Sequence, residues 1–466
     1  MPSAIIPFGG FEPDKAQHGH QGLTRADNVY PIANGYAPVG AFQAATAALS
    51  GWMGGGAFIG EDGASILLSG KADGLYSYSG AAWTSEYAVA ADRWRFSQHR
   101  QLVVGVHGGA PVAYDLTAGT AGLLGGSPPS AKYTATANEF TFLAGDPAKV
   151  REVTWSAFGN PEGWTADVNQ SGAYDIADGS AITGLAGGEF CLVFQRQAIH
   201  RLQYTGGDAV WQRDKISSEI GCLAPGSLVQ VGRMSFFLSE RGFMKCDGSD
   251  VQPIGVDRVD QTFFATHGRE LDAMYAAVDP RRYLVQWVMP GNPGYVWTYH
   301  WVLDRWSVVR LPVAAAFTAF TSSTTTDAIS GDVDAITLPV DSPVYAGGEP
   351  RIYYVDASGV LGTLTGAALE AYLETPANEI TAGRYARPYM ARPMTDAVSG
   401  MTLTLDARRR LGDAEGVTSK TELRASGDMP VRSNGRYFRC GLTIAAGTSW
   451  GFVQALTVDY GDGGTR

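Results

Sequence analysis

Five segments of the chain share one grammar: an apolar strand, a tight turn, a second strand ending in an aromatic or other large residue, then glycine or aspartate. They are Ile66–Ser79 (ILLSGKADGLYSYS), Phe190–Tyr204 (FCLVFQRQAIHRLQY), Met234–Cys246 (MSFFLSERGFMKC), Tyr283–Val309 and Arg351–Leu364 (RIYYVDASGVLGTL). Less regular units surround Leu102–Tyr114 and Val150–Trp164. The units recur at about 35–70 residues, mostly about 40–50, the period of a four-stranded propeller blade. Asp73-Gly74, Asp247-Gly248 and Ser358-Gly359 are hairpin dipeptides. A lone hairpin cannot bury both its faces, so such units must stack side by side.

Composition agrees. Glycine is 59 of 466 residues, and 11 Trp, 21 Tyr and 19 Phe accompany it. That is the currency of short strands and tight turns. Charged residues are only 17%, too few for a coiled coil or a disordered chain. Helical signals reduce to Asp260–Thr266 and Ala367–Leu373. The expected fold class is all-β: propeller-like blades of antiparallel strands with an N-terminal extended arm and a smaller C-terminal β-domain. The expected boundaries are 1–45 for the arm, 46–375 for the blades and 376–466 for the C-terminal domain. In the last, Met401–Asp406 and Ala455–Asp459 alternate like half-exposed strands.

A formal net charge of −11 argues against a general grip on nucleic acid. The four cysteines, at 191, 222, 246 and 440, form no CxxC pair and read as buried thiols. No basic n-region with an apolar run opens the sequence, and no stretch reaches 18 apolar residues. Synthesis in a cytoplasm without export is therefore expected.

The search for chemistry yields little. GxSxG, GxxxxGK[ST] and HExxH are absent. Gly54-Gly55-Gly56 opens no helix and reads as a turn. His18 and His20 could share a metal, but a polar arm is the plainer reading; His107, His200 and His300 lie in strand-like text. Asp167, Asn169, Ser171 and Asp178 fall at positions 1, 3, 5 and 12 of a calcium-loop pattern, with Gly172 at position 6. The same residue types build ordinary turns, and the flanks are not helical. Arg408-Arg409-Arg410 is the strongest basic run and reads first as a solvated edge. The tryptophans, from Trp83 to Trp306, read mainly as core between blades. No catalytic residue and no cofactor are expected.

Three stretches together resemble a known family: residues 22–42 (GLTRADNVYPIANGYAPVGAF), 156–204 (SAFGNPEGW through AIHRLQY) and 214–255 (DKISSEIGCLAPGS through DVQPIG). They are similar to the tail hub or nozzle proteins of short-tailed bacteriophages, also called packaged-DNA stabilization proteins. The resemblance implies a virion structural protein in the phage tail. It implies a ring, usually a homo-hexamer, below the portal and adaptor proteins, with a needle, fibres or tailspikes beyond. Packaged double-stranded DNA would be retained in the channel and released through it, without sequence-specific binding. The polar stretch at 323–335 is then a candidate pore or partner loop. Two other classes stay open: a tail-tip propeller that binds a surface glycan, and a propeller hydrolase or lyase acting on polysaccharide.

Overall fold

A computed structural model describes residues 2–177, 180–207, 209–269, 271–320, 350–413 and 416–464. Strands dominate it, with one α-helix, Asp260–His267, and one 3-10 turn, Pro225–Ser227, among the described residues.

Among the described residues seven blades form a β-propeller. Six are separate four-stranded sheets, and the remaining one, blade 6, is joined to a larger, 10-stranded sheet. The inner strands begin at residues 54, 95, 133, 182, 229, 275 and 313, so blades recur every 38 to 49 residues. Blades 1 to 6 are continuous in sequence. Blade 7 is not: its outermost strand is Gln43–Ala44, which pairs with Leu361–Thr363 through Gly362↔Ala44 and Thr363↔Gln43. The N-terminal segment thus closes the ring of blades.

Each repeated segment of the sequence falls on the middle of a blade. In blade 1, Ser65–Lys71 and Gly74–Tyr78 pair from Lys71↔Gly74, leaving a two-residue turn. In blade 5 the Asp247 carboxylate accepts the N–H groups of Ser249 and Asp250 at 2.8 and 2.9 Å. In blade 7 Asp356 does the same for Ser358 and Val360. These Asx turns set the hairpins locally. Leu284–Met289 in blade 6 is buried along its whole length because both faces meet other layers. Its one polar residue, Gln286, donates to Thr298 Oγ1 at 3.0 Å and accepts the Tyr354 hydroxyl, so burial leaves it satisfied.

Glycine also lets blades approach. A Cβ on Gly70 would lie 2.1 Å from the Trp94 ring, which reaches blade 1 from the start of blade 2. Any larger residue there would displace a buried tryptophan.

Residues 371–464 build a two-layer sandwich beside blade 6. One layer holds Ala371–Glu374, Tyr437–Ile444, Met401–Arg408 and Val417–Glu422. The other centres on Val453–Asp462, paired with Ala386–Thr395 on one side and with Ser3–Pro7 on the other. Met401, Leu403, Leu405 and Ala407 alternate inward against Val453, Leu456 and Val458.

The N-terminal extended arm is woven into both halves of the molecule. Ser3–Pro7, Val29–Ile32 and Gly35–Pro38 belong to the sandwich. Arg25–Asp27 lies between the two halves, parallel to Arg305–Leu311 of blade 6 and antiparallel to Ala371–Glu374. Asp27 is 5% exposed and meets Arg25 at 2.6 Å and Arg310 at 3.3 Å. Blade 6 and the sandwich thus share one sheet, and one core runs from Trp287 and Trp306 to Leu442 and Val458.

The two helical expectations divide. Asp260–His267 is a helix, and the Asp14 carboxylate caps it by accepting the N–H groups of Gln261 and Thr262, each at 2.8 Å. Ala367–Leu373 is not. Its last residues enter the strand Ala371–Glu374, where Ala371 and Leu373 point into the sandwich core. Tertiary pairing overrides helix propensity there.

Candidate functional site

The calcium-like loop leaves blade 3 between Lys149–Trp155 and Gly172–Asp175. Asp167, Asn169 and Gln170 all have positive φ, at 61°, 50° and 69°. The Asp167 N–H bonds the Ser171 carbonyl at 3.0 Å, and the Trp155 indole donates to the Gln170 carbonyl. Ser171 is buried, and its hydroxyl donates to the carbonyls of Thr165 and Val168. The structure thus spends Ser171 on closing its own turn. Asp178 lies outside the described residues, as does the polar stretch 323–335. Among the described residues no three His, Cys, Asp or Glu side chains gather as a metal site.

His18 and His20 lie in a groove of about 530 Å³ between the N-terminal segment and the sandwich, with Ile5, Glu379 and Phe438. His20 Nδ1 accepts the Gly22 N–H at 3.1 Å. The strand-borne histidines are packed: His107 sits 4.7 Å from the Trp94 ring, and His200 is 1% exposed. Burial lowers the pKa of His99, His107 and His300. It pushes His267 down to about 4, matching its Nε2 accepting the Trp297 indole N–H at 3.0 Å.

A glycosidase needs a carboxyl with a raised pKa facing a second carboxylate across a substrate cleft. Asp260 is raised to about 7, chiefly by burial and secondarily by the Asp14 charge. Yet it is 6% exposed, wedged between Gly242 and Gly255, with one oxygen accepting the Phe243 N–H at 3.0 Å. Asp14 is occupied in capping the helix. Both carboxylates thus serve the fold at the start of this helix.

Because its folded pKa exceeds the ordinary value of 3.8, Asp260 stabilises the fold most below about pH 4. That contribution is lost as pH rises towards about 7, where the buried group ionises. Asp260→Asn should remove this loss. Urea titrations at pH 5 and pH 8 should show wild type losing stability relative to the variant. A constant difference would contradict the assignment.

All four cysteines are buried free thiols, as the sequence indicates, with burial lifting Cys246 to about 11 and Cys222 and Cys440 to about 12. Arg408 pairs with Asp406 at 2.9 Å at the end of an exposed edge hairpin, and Arg409 and Arg410 are exposed. Trp94, Trp155, Trp211, Trp287, Trp297 and Trp306 are buried, and Trp83, Trp164 and Trp301 are half-buried.

One feature escapes the sequence reading: the propeller axis. The inner strands of blades 2 to 5 wall a cavity of about 490 Å³ lined by Ser97, Gln98, Thr134 and Gln230. At the end where the inner strands start, Arg93 reaches from blade 2 to blade 6. Its Nη1 and Nη2 donate to the carbonyls of Asp272 and Met274 at 3.0 and 2.6 Å. The signal for it was Arg93-Trp94-Arg95, two cations around a strand-leading tryptophan.

No family model matches the chain, and no curated relative matches it. Among solved structures, it is similar to the extracellular domain of the BT4673 system from B. thetaiotaomicron, at TM-score 0.40 and 10% identity, covering 82% of this chain and 46% of that one. The chain thus spans about half the length of that protein. It is also similar to the N-terminal domain of Nup159, at TM-score 0.37 and 8% identity over 72% of this chain and 97% of that one. The β-propeller domain of Myceliophteria thermophila Cps50 (Swd1) matches at TM-score 0.39 and 11% identity, over 59% of this chain and 92% of that one.

Proposed function

We propose that this propeller is a structural subunit of a short-tailed phage tail, a hub or nozzle protein arranged as a ring of copies below portal and adaptor. The observation that carries the reading is where the first resembling stretch falls. Residues 22–42 contain the brace Arg25–Asp27 and the hairpin Val29–Pro38, which join propeller and sandwich. A subunit that bears load between neighbours needs that kind of rigid union.

Arg93 ties the start of blade 2 to the start of blade 6, and on this reading DNA would pass between copies around a common axis rather than through one propeller. A net charge of −11 favours sliding of DNA over retention by the walls. A needle, fibre or tailspike protein would meet the far side of the ring.

Negative-stain electron microscopy of the purified protein, alone and mixed with a portal–adaptor complex, tests this. Rings, or added density coaxial with the portal, are the expected result. Isolated discs that ignore the complex would overturn it.

A further inference from the structure

Blade 2 begins with Arg93-Trp94-Arg95, and its two arginines are held differently from the arginines that anchor the surface of the fold. Arg25, Arg201, Arg258 and Arg392 all meet carboxylates within 3 Å. Arg93 and Arg95 make no ion pair among the described residues.

Both side chains are nonetheless enclosed. The Arg93 guanidinium lies 3.6 Å over the Tyr275 ring, which opens blade 6. It also lies against Gly226 ahead of blade 5, where a Cβ would be 2.5 Å from Nη1. Arg95 lies 4.8 Å over the Tyr133 ring, which opens blade 3, and gives one N–H to the Lys132 carbonyl at 3.3 Å. Burial lowers the pKa of both, Arg93 to about 10, and the neighbouring Arg95 charge adds to the effect on Arg93. A guanidinium keeps its charge in a protein, and the two lie near enough for the Arg95 charge to act on Arg93.

Each guanidinium carries five N–H donors in a planar fork. Arg93 uses two on carbonyls and Arg95 one. The remaining donors have no acceptor of opposite charge among the described residues. Farther along the same inner strands, Ser97, Thr134, Gln98 and Gln230 offer neutral hydrogen-bonding groups, and the cavity they line holds no carboxylate. Asp272 and Asp92 lie near enough to act on Arg93 and Arg95 but pair with neither, and two neighbouring forks with no carboxylate in hydrogen-bond reach match an oxyanion bearing two negative charges.

We propose that Arg93 and Arg95 form an oxyanion site on the propeller axis, taking a phosphate-class dianion between their guanidinium groups. The ligand would complete the contact between blades 2, 3 and 6 and lock the axis shut. The site is independent of the tail-hub reading, since it concerns one chain alone.

Calorimetric titration with sodium phosphate, against sodium chloride at matched ionic strength, is the test. A saturable phosphate-specific signal and a raised Tm are expected. Arg95→Gln should weaken binding about tenfold or more, because charge-assisted hydrogen bonds are the strong ones. Arg95→Lys should fall between, and the double variant R93Q/R95Q should not bind. Arg95 makes a single long hydrogen bond, so R95Q keeps the test decisive if variants at Arg93 fail to fold. No saturable signal in the wild type, or unchanged affinity in R95Q, would overturn the proposal.

Discussion

A chain lacking residues 1–45 should show no cooperative unfolding transition. The loss removes four separate devices at once. Gln43–Ala44 no longer completes blade 7, exposing the pairing edge of Leu361–Thr363. Arg25–Asp27 no longer joins blade 6 to the sandwich. Asp14 no longer caps the helix Asp260–His267. The buried side chains of Phe8, Phe11, Leu23, Val29, Tyr36 and Val39 leave the core. At roughly 2 kcal/mol for each large apolar side chain, the last item alone approaches about 12 kcal/mol. Whole domains are stable by only about 5–15 kcal/mol. Thermal melting followed by circular dichroism, with gel filtration, checks this. A truncated chain that melts cooperatively within a few degrees of the full one would show that the segment is dispensable.

Trp306→Ala should be the most damaging single substitution in the core, at about 4–5 kcal/mol. Trp306 is fully buried, with ring centroids 5.0 Å from Phe243, 5.6 Å from Trp287 and 4.8 Å from Tyr299. Its indole N–H donates to the Ile254 carbonyl at 3.0 Å, and truncation strands that buried acceptor. Trp306→Phe should recover part of the loss by restoring aromatic packing but not the hydrogen bond. The core around Trp306 runs without a break into the sandwich, so propeller and sandwich should unfold in one transition. Urea denaturation followed by tryptophan fluorescence and by far-UV circular dichroism would test both points. Two separated transitions, or a Trp306→Ala loss below about 2 kcal/mol, would contradict the shared core. Trp83→Ala, half-buried and bonded to the Ala47 carbonyl, is the milder comparison.

The hairpins were legible because their causes are local. Asp247 and Asp356 fold their turns through bonds to residues two to four positions on. Met401–Arg408 shows its two faces in plain alternation. The calcium-like loop was ambiguous for an equally local reason: a cation and a tight turn both call for short oxygen-bearing side chains. In the structure the Ser171 hydroxyl turns to Thr165 and Val168 and serves the turn, while Asp178 lies outside the described residues.

By itself, then, the sequence determined the class of fold, the approximate length of a blade, the buried thiols and the scarcity of catalytic motifs. Each follows from composition or from a period of two read over a few residues. Tertiary structure alone decided that there are seven blades, that residues 43–44 close the ring, and that residues 25–27 weld two halves together. It also decided that Arg93 ties blade 2 to blade 6 and that residues 371–374 form a strand. Those outcomes rest on pairings such as Thr363 with Gln43 and Ser3 with Asp459. Backbone hydrogen bonds of that kind are blind to side-chain identity, and the partners lie hundreds of residues apart. No local pattern can carry them; they form because the assembled blades and sandwich leave one unpaired edge for each strand to fill.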